Sequence, residues 1–348
     1  MNSEKTRRLI LGEQRLPEFQ NYDDEPLKAG YIRVLTQFGA PKHGTELTEI
    51  SEDPFNSDYY DETDHIFKKR LTPRPVKTFG LGNMWVGEVF EVASDVTSIH
   101  VGQKVAGYGA LQHTHTVLAE KIYPMPEGMP WKTALCFDPL QFALGGIRDS
   151  HLRLGDTVLI SGQGAIGLMA AQCAKLAGAA LVVVTDPIEK RRNAGLENGA
   201  DFSFDPREVD FGLQLRSITQ GRGVDVVIET SGNYRAIEQG LRALTYHGTL
   251  ACVGWFKQQK VEINFGREGH FNQQRIVFSR ACSEPSNDYP GWDFNRIKAV
   301  AWEMLTKGLF SCENIVDPVV PFAQAAEAYH TYVIKSSPQS VKLGVSFQ

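Results

Sequence analysis

Residues 158–172 read VLISGQGAIGLMAAQ, a short apolar strand pattern that runs through three glycines into an apolar helix pattern. Gly162, Gly164 and Gly167 are spaced G-x-G-x-x-G. In a strand–turn–helix, each position has a physical reason to be glycine. Gly162 allows the tight turn, Gly164 lets the backbone approach a pyrophosphate, and Gly167 lets the helix pack closely on its strand. Ala165 and Ile166 open the helix, whose positive end then faces the phosphates. The next apolar run, LVVVT, ends at Asp186, 19 residues beyond Gly167. A carboxylate there accepts hydrogen bonds from both ribose hydroxyls and repels a 2′-phosphate, so the spacing predicts NAD rather than NADP. Arg191 and its neighbour Arg192 fall on the following helix pattern, where basic side chains flank an adenosine.

Working outward, DTVLISG, LVVVTD, VDVVIETSG, GTLACVGW and RIVFSRA are apolar runs that alternate with helical patterns such as IEKRRNAGLENGA and AIEQGLRALT. That alternation predicts a parallel sheet covered on both faces. Before residue 150 the pattern differs. YIRVLTQF, VGEVFEVASDV and KVAGYG are β-like runs broken by turn residues, as in an irregular, mostly antiparallel domain. The final strand pattern, SVKLGVSF, predicts that the chain's end returns to this first domain. The fold class expected is α/β: a Rossmann doubly wound parallel sheet over 148–280, with a mostly-β domain built from 1–147 and 281–348. Residues 51–79 are long, polar and aromatic, the composition of a binding loop or lid.

The chain has 348 residues, enough for two domains, and carries a net charge of −5, which argues against a nucleic-acid partner. No apolar run is long enough to span a membrane, and LIL near the start is too short for a signal peptide, so a cytoplasmic location is expected. The five cysteines, Cys136, Cys173, Cys252, Cys282 and Cys312, are scattered without a C-x-x-C pair. They read as small buried residues in a reducing compartment.

From end to end the chain resembles the medium-chain dehydrogenase/reductase superfamily of alcohol and polyol dehydrogenases. The strings that carry the resemblance are GNMWVGEVFEVASDVTSIHVGQKVAGYG, YPMPEGMPWKTALCFDPLQFAL, GQGAIG and SVKLGVSF. Rarer strings, FGAPKHGTE, TPRP, GREGHFN and IVFSRACSEPSNDYPGW, are similar to the glycoside 3-dehydrogenase branch of that superfamily. The resemblance implies a GroES-like catalytic domain around the Rossmann domain, an active site in the cleft between them, and a homodimer or homotetramer. It also implies NAD-dependent oxidation of the C3 hydroxyl of a glycoside as the activity, with a sugar or glycoside as the substrate. Two alternatives stay open: an NAD-dependent polyol or cyclitol dehydrogenase, and a non-catalytic NAD-binding protein.

Zinc-dependent members carry Cys-Gly-Thr-Asp where this chain has His43-Gly44-Thr45-Glu46, and Gly-His-Glu where it has Gly82-Asn83-Met84. A catalytic zinc needs three N, S or O⁻ protein ligands and an open position. These departures argue against a metal. If zinc is held, His43 and Asp138 are its candidate ligands, with His113 or His115 of QHTHTV to complete the set.

Without a metal, oxidation of an alcohol needs a base for the hydroxyl proton and a donor or cation for the developing alkoxide. Residues 42–46 supply titratable groups for both. His43 is expected as base or proton relay and Lys42 as base or electrostatic stabiliser. Thr45 matches the family's relay hydroxyl, and Glu46 its carboxylate that orients an imidazole. By the same match Thr230, Val253, Trp255 and Lys342 are expected around the cofactor, Lys342 at its pyrophosphate. Asn83, Tyr108, Asp138, Gln141 and Arg280 are expected to face a polyhydroxylated substrate.

Overall fold

The computed structural model describes residues 6–50, 57–72, 78–208, 210–257, 262–335 and 338–348, without the side chains of Thr45, Thr48 and Glu49. Two compact units emerge: residues 1–131 with 317–348, and residues 132–316. The second unit is longer at both ends than the expected 148–280. The helices Trp131–Leu135 and Phe137–Asp149 lead into it, and Phe137–Asp149 packs on Ala165–Leu176 and Phe294–Thr306. Helix patterns at 131–149 and 294–306 carry no local mark of which sheet they cover, so packing decides the boundary.

The second unit is built on a six-stranded parallel sheet. Its spatial order is Phe202–Phe204, Leu181–Thr185, Thr157–Ser161, Val224–Glu229, Leu244–Cys252, Arg275–Phe278. Val158–Ile160, Val182–Val184 and Val226–Ile228 are buried, as near-continuous apolar strands must be when helices cover both faces. Leu159 lies level with Val183 on one side and Val227 on the other. A core of Leu159, Val183, Phe211, Leu215, Val227 and Leu250 forms beneath.

Beyond the strands' carboxyl ends the ladder continues by single bonds: Gly162 N–H to Thr185 O, Thr230 N–H to Ser161 O, Val253 N–H to Glu229 O and Ser279 N–H to Cys252 O, each 2.8–2.9 Å. These four bonds fix where the site-bearing loops begin. Ligands of open parallel sheets bind at this end.

The first unit holds a seven-stranded, mainly antiparallel sheet centred on Tyr31–Ala40. That strand pairs with Met84–Val92, with Thr114–Leu118 and with the terminal strand Lys342–Ser346, where Val345 lies opposite Gly39. The chain's end therefore returns to the first unit, as its pattern predicts. A Cβ on Gly87 would stand 2.3 Å from the Leu35 carbonyl oxygen, so glycine sets how closely these two strands cross. Trp85, fully buried, anchors one core with Ile32, Val34, Val89 and Val105. Tyr329, also fully buried, anchors another with Leu9, Leu81, Leu343 and Val345.

Within the segment 51–79, residues Asp58–Asp61 and Ile66–Lys69 form a separate hairpin with Tyr60 and Phe67 exposed. Residues 51–56 and 73–77 of that expected lid lie outside the described residues. Of the five cysteines, all reduced, four are buried and Cys282 is half-buried. No helix among the described residues is long and apolar enough to cross a membrane.

The central strand makes the fold testable. Leu159→Ala removes a fully buried side chain from the middle of the parallel sheet, and is expected to lower unfolding free energy by roughly 3–5 kcal/mol. Urea titration would show it; a loss below about 1 kcal/mol would mean that the core is not packed around this strand.

Candidate functional site

The glycine turn of the second unit has the geometry of an anion cradle. Gly162 has φ +87°, a left-handed conformation that L side chains rarely adopt. A Cβ on Gly167 would lie 1.8 Å from the Gly162 carbonyl oxygen, which only glycine permits. Gly164 is the N-cap of helix Ala165–Leu176, makes no side-chain cap, and faces open space. The first backbone N–H groups of that helix, at Ala165, Ile166 and Gly167, thus have room for a phosphate.

Asp186 is buried, with one carboxylate oxygen accepting Gln163 N–H and the other Ile188 N–H, both at 2.8 Å. Each oxygen keeps a lone pair for a ribose hydroxyl. Arg192 donates to the Asp186 carbonyl oxygen at 2.8 Å, and Arg191 lies half-buried one turn into the helix Glu189–Glu197. Thr230 donates its hydroxyl to the Ser161 and Gly162 carbonyls, both 2.9 Å, which ties the next loop to the glycine turn. Val253 is half-buried, and Trp255 is exposed with the Lys257 ammonium 4.9 Å from its ring centre.

Glu229 is a residue of the candidate site that sequence reasoning missed. It ends the buried strand Val224–Glu229 with no solvent exposure, accepting Ser231 N–H at 2.7 Å, Gly232 N–H at 3.1 Å and the Ser231 hydroxyl. Its other oxygen would meet a Cβ on Gly254 at 2.6 Å. One carboxyl therefore gathers the loops that begin at Thr230 and Val253. Burial pushes its pKa up to about 7. The signal available in VDVVIETSG was an acidic residue closing an apolar strand just before a Ser-Gly turn.

The first unit's candidate site is the turn Pro41–Glu46 at the start of the helix His43–Ile50. Its anchor is Glu46, buried, whose carboxylate accepts Lys42 N–H at 2.6 Å, Gly82 N–H at 3.3 Å and the Tyr329 hydroxyl. Burial raises the Glu46 pKa, and the donors around it with the Lys342 charge pull it back. Burial and then the Glu46 charge raise the Tyr329 phenol and keep it protonated. Glu46 was expected to orient an imidazole. It orients the turn's backbone instead, because its oxygens are taken by these donors.

His43 is set by another partner: its Nε2 accepts Leu343 N–H at 3.1 Å. An imidazole nitrogen that accepts an N–H carries no proton, so neutral His43 holds its proton on Nδ1. Lys342 corrects another expectation. It is buried in the first unit, and its ammonium donates to the Pro41 carbonyl at 2.7 Å rather than standing exposed for a pyrophosphate.

Asn83 sits beside the turn, its N–H on the Ala40 carbonyl at 3.1 Å and its carbonyl accepting Gly109 N–H at 3.0 Å. Its amide Nδ2 is buried without an acceptor. Tyr108 lies opposite Met84 on the neighbouring strand and is exposed. Lys42, His43, Asn83 and Tyr108 thus lie at one end of neighbouring strands of one sheet. The Thr45 side chain lies outside the described residues. In the second unit, Asp138 and Gln141 are buried on the helix Phe137–Asp149, Gln141 donating to the Phe137 carbonyl of its own helix at 3.2 Å. Arg280 is exposed and donates to the Ser283 hydroxyl at 3.1 Å.

A zinc ion does not fit this donor set. Among the described residues no three His, Cys, Asp or Glu side chains are grouped to hold a metal. The His43 Nε2 lone pair is engaged by Leu343, Glu46 is turned into the protein, and Met84 is fully buried. His113 and His115 are structural. His113 Nδ1 accepts Arg7 N–H and its ring packs on Phe322. His115 stacks on Trp85, and burial drops its pKa to about 3.

Residues 165–298 match the model of the family described as zinc-binding dehydrogenase. The chain is 42% identical to D-guloside 3-dehydrogenase of Escherichia coli (strain K12), over 98% of this chain and 100% of that one. Among solved structures, galactitol-1-phosphate dehydrogenase from Escherichia coli has TM-score 0.76 at 20% identity, covering 98% and 99% of the two chains. An alcohol dehydrogenase from Escherichia coli CFT073, solved with the cofactor NADH, has TM-score 0.73 at 18% identity, covering 98% and 99%.

Two carboxyls can be tested. Tyr329→Phe removes one donor from a buried carboxylate and is expected to cost roughly 1.5–3 kcal/mol by urea unfolding; an unchanged midpoint would show that Glu46 does not depend on it. The Glu229 pKa, raised from 4.5 to about 7, means that folding takes up a proton between those values. Its contribution to stability is therefore full below pH 4.5 and is lost as pH rises through 7, by at most about 3 kcal/mol. Glu229→Gln should lack that part of the slope; wild type and variant with identical pH dependence from 4.5 to 8 would refute it.

Proposed function

The chain belongs to the zinc-binding dehydrogenase family, the medium-chain dehydrogenases, and from that premise we propose that it is an NAD-dependent oxidoreductase that interconverts the C3 hydroxyl of a D-guloside-like glycoside and its 3-oxo form. The observation that carries the reading is the turn Pro41–Glu46, held by a buried carboxylate while it presents an amine and an imidazole. The 42% identity to D-guloside 3-dehydrogenase along the whole chain supports the substrate class. So do polar groups suited to hydroxyl recognition, Asn83 Nδ2 and the exposed Tyr108 and Trp255.

Bound NAD would accept the hydride from the carbinol carbon. The chain's own groups handle the binding and the proton. Backbone N–H groups behind Gly164 would hold the pyrophosphate, and the free lone pairs of Asp186 the adenosine ribose, whose 2′-phosphate form its charge would repel. His43, with Nε2 spent on Leu343, is a donor through Nδ1–H rather than a base, and stabilises the oxygen as charge develops on it. Lys42, half-buried, is the general base, its side chain in the neutral amine form accepting the hydroxyl proton. This reverses the order in which the two side chains stand on sequence grounds alone. No step requires a metal, in keeping with a donor set that does not form a zinc site.

Steady-state NADH formation with methyl gulosides, methyl glucosides and free polyols tests the reading, together with identification of the 3-oxo product. Turnover of polyols but no glycoside would favour a polyol dehydrogenase, and NAD binding without turnover a non-catalytic protein. Lys42→Ala should lower kcat by about two to four orders of magnitude and leave NADH binding intact; retention of kcat within threefold would remove Lys42 as the proton acceptor.

A further inference from the structure

The loop 279–293, which contains most of the rare string IVFSRACSEPSNDYPGW, has no task in the hydride and proton steps above, and of its residues only Arg280 is expected at a substrate. It walls a cavity of about 290 Å³ in the second unit, closed on the other side by Gly145, Arg148 and Asp149. That volume is at the small end of ligand sites.

Two features give the cavity a chemistry. The first is its place. It opens at the carboxyl end of Arg275–Phe278, and Ser279 N–H bonds the carbonyl of Cys252, the residue before Val253. A pair of glycines on one helix brings it close to Val253. A Cβ on Gly145 would stand 2.8 Å from Ala281 in the cavity wall, and one on Gly146 would stand 2.6 Å from Val253. The cavity thus adjoins the edge of the sheet that carries the nucleotide turn.

The second is its charge. Arg148 pairs with Asp288 at 2.5 Å while its guanidinium lies on the Trp292 ring at 3.6 Å from the centre. Asp149 accepts the Ser279 hydroxyl at 2.6 Å, and Arg280 donates to Ser283. Two guanidiniums and two carboxylates line the space, so the formal charge cancels. A phosphate or carboxylate would have to compete with Asp288 for Arg148 and face both aspartates. A neutral molecule with hydroxyls meets hydrogen-bonding groups, Asn287 and Ser283 among them, without that cost.

We propose that this cavity is a subsite for the neutral, hydroxylated part of a glycoside remote from C3, either a second sugar ring or a polar aglycone. The proposal rests on the glycoside reading above and gives that substrate a size and a charge. The cavity would distinguish a glycoside from a sugar phosphate.

The test compares wild type with Ser283→Phe, which fills the cavity, and Asn287→Ala, which removes a polar group from it. A disaccharide and the methyl glycoside of the same oxidised sugar serve as substrates, and NADH binding is followed by fluorescence. Expected is at least a tenfold fall in kcat/KM for the disaccharide in Ser283→Phe, a smaller fall in Asn287→Ala, and no more than a twofold change for the methyl glycoside or NADH. Equal losses on both substrates, or no loss on either, would overturn the subsite. If the wild type oxidises no glycoside, the functional reading fails first, and calorimetry decides the cavity separately. Disaccharide binding to wild type that Ser283→Phe abolishes supports it. Absent or unaltered binding, or tighter binding of a phosphorylated disaccharide, overturns it.

Discussion

One buried carboxylate holds the turn Pro41–Glu46 in shape. Taking a carboxylate out of water costs several kcal/mol, which is recovered only if enough donors converge on it. Glu46 meets that requirement with partners from its own turn, from Gly82 and from Tyr329, while Lys342 lies near enough to act on it by charge. These partners are far apart in sequence, so the turn has its shape only when the chain's two ends have come together. Removing the charge or any partner leaves the rest underpaid in hydrogen bonds, and the position of Lys42 and His43 changes with it.

The parts of this architecture legible in the sequence are those fixed by backbone sterics over a short span. Gly162 and Gly167 can be read from spacing because L side chains rarely adopt a φ of +87° and a 1.8 Å approach leaves no room for a Cβ. Asp186 can be read because it closes the next parallel strand, and a strand–helix–strand unit has nearly fixed length. The terminal strand Lys342–Ser346 showed itself by alternation and by its match to a known pattern. Glu229 and Tyr329 did not show themselves, since a carboxyl that ends a strand looks the same whether it meets water or three donors. Lys342 was assigned to a phosphate on pattern alone; its burial against Pro41 depends on a contact 301 residues away in sequence. The unit boundaries at 131 and 316 were hidden for a related reason, because amphipathic helices do not record their partner.

The departures from the zinc pattern form a set. Where the family places a thiolate, this chain has an imidazole whose Nε2 answers a backbone amide. Where it places Gly-His-Glu, the sequence has Asn83, whose backbone bonds Ala40 and Gly109, and Met84, which is packed in the sheet. A metal would gather negative charge from an alkoxide at one point. Here an imidazole and a lysine side chain occupy the same turn, and a turn fixed by Glu46 can present them without reorganisation.

The same economy of position governs the second unit. Gly145 and Gly146 occupy one turn of a helix whose two faces meet Ala281 and Val253, at 2.8 and 2.6 Å from where a Cβ would stand. A side chain at either position would push the helix from one partner or the other, and so move the cavity wall relative to the loop after Cys252. The helix is thus fitted to both partners by the lack of a side chain at each position.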